Sequence, residues 1–204
     1  MNWKLTLPMI LLAATWAGML AFGAGSFDAA LLLSVYAGNR PLLASIALAF
    51  TRLGEWPVVL GVSLLAASWL AYRKHPRAAL MLLVSTIAAR LLIILQKVEL
   101  ARLRPDEHLR MVEVSSLSFP SAHSANSMLV YPLCALLLAP PRWRRVAVAA
   151  CVLLALCIGA SRPVLGVHWP SDVIGGWSFG LFWLLGSLQV AAMLEQRRTA
   201  VPNA

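Results

Sequence analysis

Ala78-Ala-Leu-Met-Leu-Leu-Val-Ser-Thr-Ile-Ala-Ala-Arg90-Leu-Leu-Ile-Ile-Leu95 is an apolar run interrupted by a single charge. At 1.5 Å of rise per helical residue, a run of this length nearly covers a bilayer hydrocarbon core about 30 Å thick. A chain crossing that core must satisfy its backbone internally, and an open chain does so only as an α-helix. Basic residues close the run at both ends, Arg73, Lys74 and Arg77 before it and Lys97 after it. Outward from this stretch, residues 8–24, 56–72, 124–139, 146–160 and 173–194 are similarly poor in charge and are predicted to be spans.

Residues 27–51 are also apolar but are broken by Gly38, Asn39, Arg40 and Pro41, which end one helical piece and start another. They are read as interfacial helices. The expected fold is therefore an all-α polytopic membrane protein, with six transmembrane helices and interfacial helices between the first two spans. No repeat, low-complexity tract or linker divides the chain, so 1–204 reads as a single domain. Lys4 followed by a short apolar stretch ending in Ala21, Gly23 and Ala24 also fits a cleavable signal peptide, the alternative to a first span.

Composition agrees with a bilayer as solvent: 60% of the 204 residues are hydrophobic and 12% are charged, against about a quarter charged in soluble domains. The net charge of +9 does not point to nucleic acid, because the basic residues are scattered through short loops and form no stripe or tail. Membrane topology explains them. With six spans, one side receives Lys4, Arg73, Lys74, Arg77, Arg142, Arg144, Arg145, Arg197 and Arg198 against Glu195 alone. On the other side Arg40, Arg52, Lys97, Arg102, Arg104, Arg110 and Arg162 are diluted among acidic residues. Short cytoplasmic loops collect Lys and Arg, so both termini are predicted cytoplasmic. Cys134, Cys151 and Cys157 lie inside apolar runs without metal-ligand spacing and read as small buried hydrophobes.

Polar chemistry concentrates in two loops on the predicted outer side. The first contains Lys97-Val-Glu-Leu-Ala-Arg-Leu-Arg104-Pro105 and ends in Phe119-Pro120-Ser121-Ala122-His123-Ser124; the second is Ser161-Arg162-Pro-Val-Leu-Gly-Val-His168-Trp-Pro-Ser-Asp172. Pro120 and Pro170 suit first helical positions, where a missing amide is not needed. Two helix N-termini would then face the site, leaving the amides of Ser121, Ala122 and His123 as first-turn donors for an anion. Lys97, Arg104 and Arg162 add positive charge, and guanidinium forks match phosphate oxygens. With a phosphate between His123 and His168, one imidazole can attack phosphorus while the other donates a proton. Asp172, four residues after His168, can orient its ring as a triad aspartate does.

In these three clusters the sequence resembles the type 2 phosphatidic acid phosphatases, whose motifs are Lys-x6-Arg-Pro, Pro-Ser-Gly-His and Ser-Arg-x5-His-x3-Asp. They align in order with 97–105, 120–123 and 161–172. The resemblance implies that Lys97, Arg104 and Arg162 bind the phosphate and that Ser121 and the amide of Ala122 complete its cradle. It further implies that His168 is the nucleophile, oriented by Asp172, and that His123 protonates the leaving oxygen. Water then hydrolyses a phosphohistidine, in a scheme that requires neither metal nor cofactor. The implied substrate is a lipid phosphate or diphosphate such as undecaprenyl diphosphate, phosphatidylglycerophosphate, phosphatidate or a lipid A phosphate. The implied setting is a bacterial inner membrane with the site at its outer face.

Ala122 departs from the family glycine; alanine offers the same amide and fits if the residue is helical. Two other readings compete with a lipid phosphatase: a headgroup-binding transporter or flippase, which needs neither histidine nor Asp172, and an inactive relative. Arg90 lies within the third span, where a charge is costly, on nearly the same helical face as Lys97. Site lining and structural pairing both remain open for it. His75 and His108 have no surrounding constellation.

Overall fold

A computed structural model describes residues 3–199, and these form eight α-helices and one 3₁₀ turn without a strand. The helices are α1 (Trp3–Phe22), α2 (Ser26–Val35), α3 (Pro41–Leu53), α4 (Trp56–Tyr72), α5 (Pro76–Leu100), α6 (Ala122–Leu138), α7 (Arg144–Val164) and α8 (Pro170–Thr199); the short turn is Glu107–Leu109. The side chains of Lys4 and Arg198, used in the charge comparison above, lie outside the described residues.

Four of these helices, α1, α5, α7 and α8, are long and apolar enough to cross a membrane. α3 and α4 pass that test together as a pair bent by 46°. α6 and α4 are each 17 residues, about 25 Å by helical rise, slightly short of the core alone. The structure thus supports an all-helical protein with four or five candidate spans, fewer than the six expected. Large apolar side chains such as Leu65, Leu80, Val84, Leu91 and Leu153 face outward, as lipid-facing positions do.

α6 is the central helix: it packs on α4, α5, α7 and α8, and most of its side chains are buried. In lipid, helix association relies on close packing and interhelical hydrogen bonds, since the tails are as apolar as leucine. The core accordingly contains many small residues, including Ala66, Ala67, Ala79 and Ala89, around Val59, Leu82, Leu129, Leu133 and Leu184. α6 and α8 meet at Gly176 and Gly180. A Cβ at Gly176 would sit 2.6 Å from the Ser121 carbonyl oxygen, and one at Gly180 would sit 2.4 Å from that of Ala125. Polar links support the bundle: Ser63 to Thr86 at 3.3 Å, Ser85 to Ser187 at 2.9 Å, and the Trp183 indole N–H to the Ser85 carbonyl at 3.0 Å.

Three expectations need correction here. Pro120 is not the first residue of α6, because Ser121 is the N-cap and Ala122 the first helical residue. The Ser121 amide is not a free donor, since it bonds the Asp172 carbonyl at 3.0 Å. Of the three cysteines only Cys134 is buried; Cys151 and Cys157 are partly exposed on α7.

Candidate active site

The three loop clusters converge where α5 and α7 end and α6 begins. Lys97, Arg104, Ala122, His123, Arg162 and His168 line one cavity of about 260 Å³, together with Gly54, Glu55, Trp56, Arg90 and Asn126. Ser121 and Asp172 sit one layer behind it.

α5 ends through Ala101, in the left-handed region at φ 46°. Its amide still bonds the Lys97 carbonyl, and the chain then turns back so that Arg102 and Arg104 approach the same end of the bundle. The Lys97 ammonium is buried and bonds the carbonyls of Leu117 and, at 3.0 Å, Ser118. An ammonium has three donors, so one remains for a ligand. Arg104 ties the same loop down, donating to the Ser116 carbonyl at 2.6 Å and to the Val167 carbonyl, while its Nη1 lies 3.1 Å from His168 Nε2. Burial lowers the Arg104 guanidinium to about 10, so it stays cationic at neutral pH.

His168 is fully buried in the loop between α7 and α8. Its Nδ1 lies 3.2 Å from Asp172 Oδ2, leaving Nε2 toward Arg104. A carboxylate at Nδ1 and a donor at Nε2 assign the proton to Nδ1 and the lone pair to Nε2. Burial, and then the positive charges of Arg104, Lys97 and Arg162, hold the imidazole well below its ordinary range, hence neutral. A neutral imidazole with its lone pair at Nε2 is the form in which histidine can attack phosphorus.

Asp172 is held on every side. Its Oδ2 accepts from the Trp169 amide at 3.0 Å and from the Ser118 hydroxyl at 2.5 Å, and its Oδ1 pairs with Arg102 at 3.0 Å. The bond to Trp169 joins the third residue of α8 to its N-cap, as in a capping box. Arg102 also donates to Ser171 Oγ and to the Met19 and Leu20 carbonyls at the end of α1, and it lies 4.4 Å from the centre of the Phe119 ring. Asp28, buried on α2, accepts from the Ser171 amide at 3.0 Å and from its hydroxyl. The N-terminus of α8 is therefore occupied by the protein's own carboxylates and does not face the cavity, contrary to expectation.

The N-terminus of α6 does face it. Ala122 and His123 are its first two helical residues, whose amides have no intrahelical carbonyl to reach. Ala122 is helical, the conformation in which alanine replaces glycine without strain. The Ser121 hydroxyl is directed elsewhere than expected: it caps α6 by accepting from Ser124 N and Oγ, and it is fully buried. Gly54 lets α3 and α4 close against His123, because a Cβ there would lie 2.7 Å from its Cδ2. Arg162 is buried, bonds Thr51 Oγ1 through Nη1, and leaves Nε without a partner.

Sequence reasoning missed Arg102 and Ser118, which hold Asp172, and Thr51, which holds Arg162. Arg102 stands two residues before Arg104 in the first cluster, and Ser118 stands just before Phe119-Pro120. Thr51, near the end of α3, carries no local signal. Among the described residues no group of three or more His, Cys, Asp or Glu side chains is arranged to hold a metal.

Known proteins resemble this chain over most of its length. Phosphatidylglycerophosphatase B of Bacillus subtilis (strain 168) is 35% identical over 162 residues, covering 76% of this chain and 79% of the relative. An undecaprenyl-diphosphatase of Sulfolobus acidocaldarius is 29% identical over 126 residues, 59% of each chain. The crystal structure described as the first transmembrane PAP2 type phosphatidylglycerolphosphate phosphatase from Bacillus subtilis superposes with a TM-score of 0.81 at 27% identity, covering 95% of this chain and 98% of that one. The sequence profile of the PAP2 superfamily matches residues 78–195, which span all three clusters, and the chain belongs to that superfamily.

Proposed function

We propose that this PAP2 membrane phosphatase hydrolyses a lipid phosphate or diphosphate with His168 as nucleophile. The observation that carries the reading is the buried chain Arg102–Asp172–His168, which orients a neutral imidazole with Nε2 toward a cavity lined by Lys97, Arg104 and Arg162. The unpartnered Nε of Arg162, the third donor of Lys97 and the amides of Ala122 and His123 supply bonds to phosphate oxygens. Arg104 turns from His168 Nε2 to the phosphate as the substrate enters. His123 becomes protonated as the negative charge of the phosphate enters the cavity; His168 Nε2 then bonds phosphorus, the bond to the leaving oxygen breaks, and His123 delivers its proton to that oxygen. Water next attacks the phosphohistidine, with His123 taking its proton, and inorganic phosphate departs. Asp172 keeps the His168 ring in register through both steps, and Ser121 supports the cradle from behind by capping α6.

The names of the relatives make phosphatidylglycerophosphate and undecaprenyl diphosphate the first substrates to test. Six crossings, by α1 and α4 to α8, with α2 and α3 at the outer face, put both termini in the cytoplasm and the cavity at the outer side of a bacterial inner membrane. The excess of Arg and Lys in the 73–77 and 142–145 loops supports that orientation. Phosphate release from a panel of these lipids and phosphatidate, by wild type and His168→Ala, tests the chemistry. Turnover should fall at least about 10³-fold in the variant, in keeping with loss of a nucleophile. Unchanged turnover would sink the mechanism, whereas no phosphate release by wild type from any of the lipids would favour a headgroup-binding transporter.

A further inference from the structure

Arg90 belongs to none of the three clusters, yet it lines the same cavity as Lys97, Arg104, His123, Arg162 and His168. It lies near the middle of α5, where a cation is expensive unless a carboxylate or a ligand meets it. Among the described residues it has no ion pair and no hydrogen bond; its guanidinium lies 5.1 Å from the centre of the Trp56 ring. The one carboxylate of the lining, Glu55, is exposed. Seven residues separate Arg90 from Lys97, so both lie on one stripe of α5, with Arg90 about 10 Å deeper along the axis. The cavity holds the liquid volume of roughly nine waters, more than a single phosphate group fills.

A lipid enters such a site with its terminal phosphate at the Lys97 level and its tail toward the middle of the bilayer. Any second phosphate on the tail side of the scissile one then lies between the levels of Lys97 and Arg90, on the side of the cavity toward which the long Arg90 side chain can extend. We propose that Arg90, positioned by the face of Trp56, binds that second phosphate and makes the enzyme selective for lipids carrying two phosphates. This inference rests on the lipid phosphatase reading above. With a diphosphate, His168 Nε2 bonds the terminal phosphorus and the bridging P–O bond breaks. The electron pair stays on the departing lipid monophosphate, and Arg90 neutralises the negative charge gained there. Phosphatidylglycerophosphate offers its diester phosphate to the same subsite for binding, while its leaving group is an alcohol oxygen that takes its proton from His123; phosphatidate has no second phosphate.

The test compares kcat/KM of wild type, Arg90→Gln and Arg90→Lys on undecaprenyl diphosphate, phosphatidylglycerophosphate and phosphatidate in one detergent. Arg90→Gln should lower kcat/KM on a two-phosphate lipid at least tenfold relative to phosphatidate, and Arg90→Lys should recover most of that ratio. A relative fall on either two-phosphate lipid supports the subsite and identifies which spacing it reads. Ratios within threefold of wild type overturn it, as does equal loss on all three lipids, which would mark Arg90 as structural. Wild type inactive on every lipid removes the phosphatase reading and the subsite with it; His168→Ala, inactive on all three beside an active wild type, shows that the chemistry stands whichever way Arg90 falls.

Discussion

Asp172 closes the first turn of α8 and faces His168 Nδ1 with the same Oδ2 oxygen, while Arg102 holds Oδ1. Removing Arg102 leaves a fully buried carboxylate without its cation, a loss of about 3 kcal/mol or more. Arg102→Met should therefore lower both thermal stability and kcat in detergent, and Arg102→Lys should not restore them, because one ammonium cannot reach the acceptors that the fork spans. Ser118→Ala removes one of several bonds to Asp172 and should reduce kcat by a smaller factor, on the order of tenfold. The pH dependence follows from the depressed His168: the neutral imidazole survives as pH falls past 6.5. The stability that this neutral form contributes is fully present above 6.5 and is lost progressively as pH falls from 6.5 through the lower folded value. After correction for ionisation of the substrate phosphate, near pH 6, kcat/KM should show no acid limb at 6.5; a limb there would contradict the neutral buried nucleophile. The lining residues Lys97, Arg104, Ala122, His123, Arg162 and His168 were legible in the sequence, because phosphate chemistry restricts residue type and spacing. Arg102, Ser118 and the redirected Ser121 were not, since a buried polar loop residue declares its partner only through tertiary contact.

At the scale of elements, the site depends on how closely α8 approaches α6. Gly176 and Gly180 bring the N-cap of α6 against the first turns of α8, so that Ser121 N bonds the Asp172 carbonyl. Gly180→Leu should force the two helices apart, lowering thermal stability and reducing turnover more than tenfold; wild-type behaviour in both would show that close approach is not required. The left-handed Ala101 can be tested in the opposite direction. Ala101→Gly removes a steric penalty of about 1 kcal/mol and should leave activity intact while raising stability slightly. Helix positions were readable from apolar runs, but their ends were not. α5 continues past the run to Leu100, carrying Lys97 and Glu99, because a helix can extend beyond the hydrocarbon layer once its polar residues meet a loop or headgroups. The corner at Gly54 escaped the sequence reading for a related reason, since the close contact with His123 that requires glycine comes from a distant helix.

For the whole molecule, the apolar composition made a helical membrane protein legible, and the three clusters made the family legible. The number of crossings was less so: α4 and α6 are near the minimum length, and α3 joins α4 at a 46° bend. Single cysteines introduced near Lys74, Asp106 and Arg142 in a cysteine-free background test the proposed layout. Labels near Lys74 and Arg142 should react from the cytoplasmic side and the label near Asp106 from the outer side; all three reacting from one side would overturn it.

The central claim, attack by His168, is tested most directly by trapping the intermediate. Brief exposure of purified enzyme to a lipid carrying a labelled terminal phosphate, followed by quenching in alkali, should leave an acid-labile phosphohistidine that maps to residue 168 and is absent from His168→Ala. Label on another residue, or steady turnover with label retained in His168→Ala, would contradict the account.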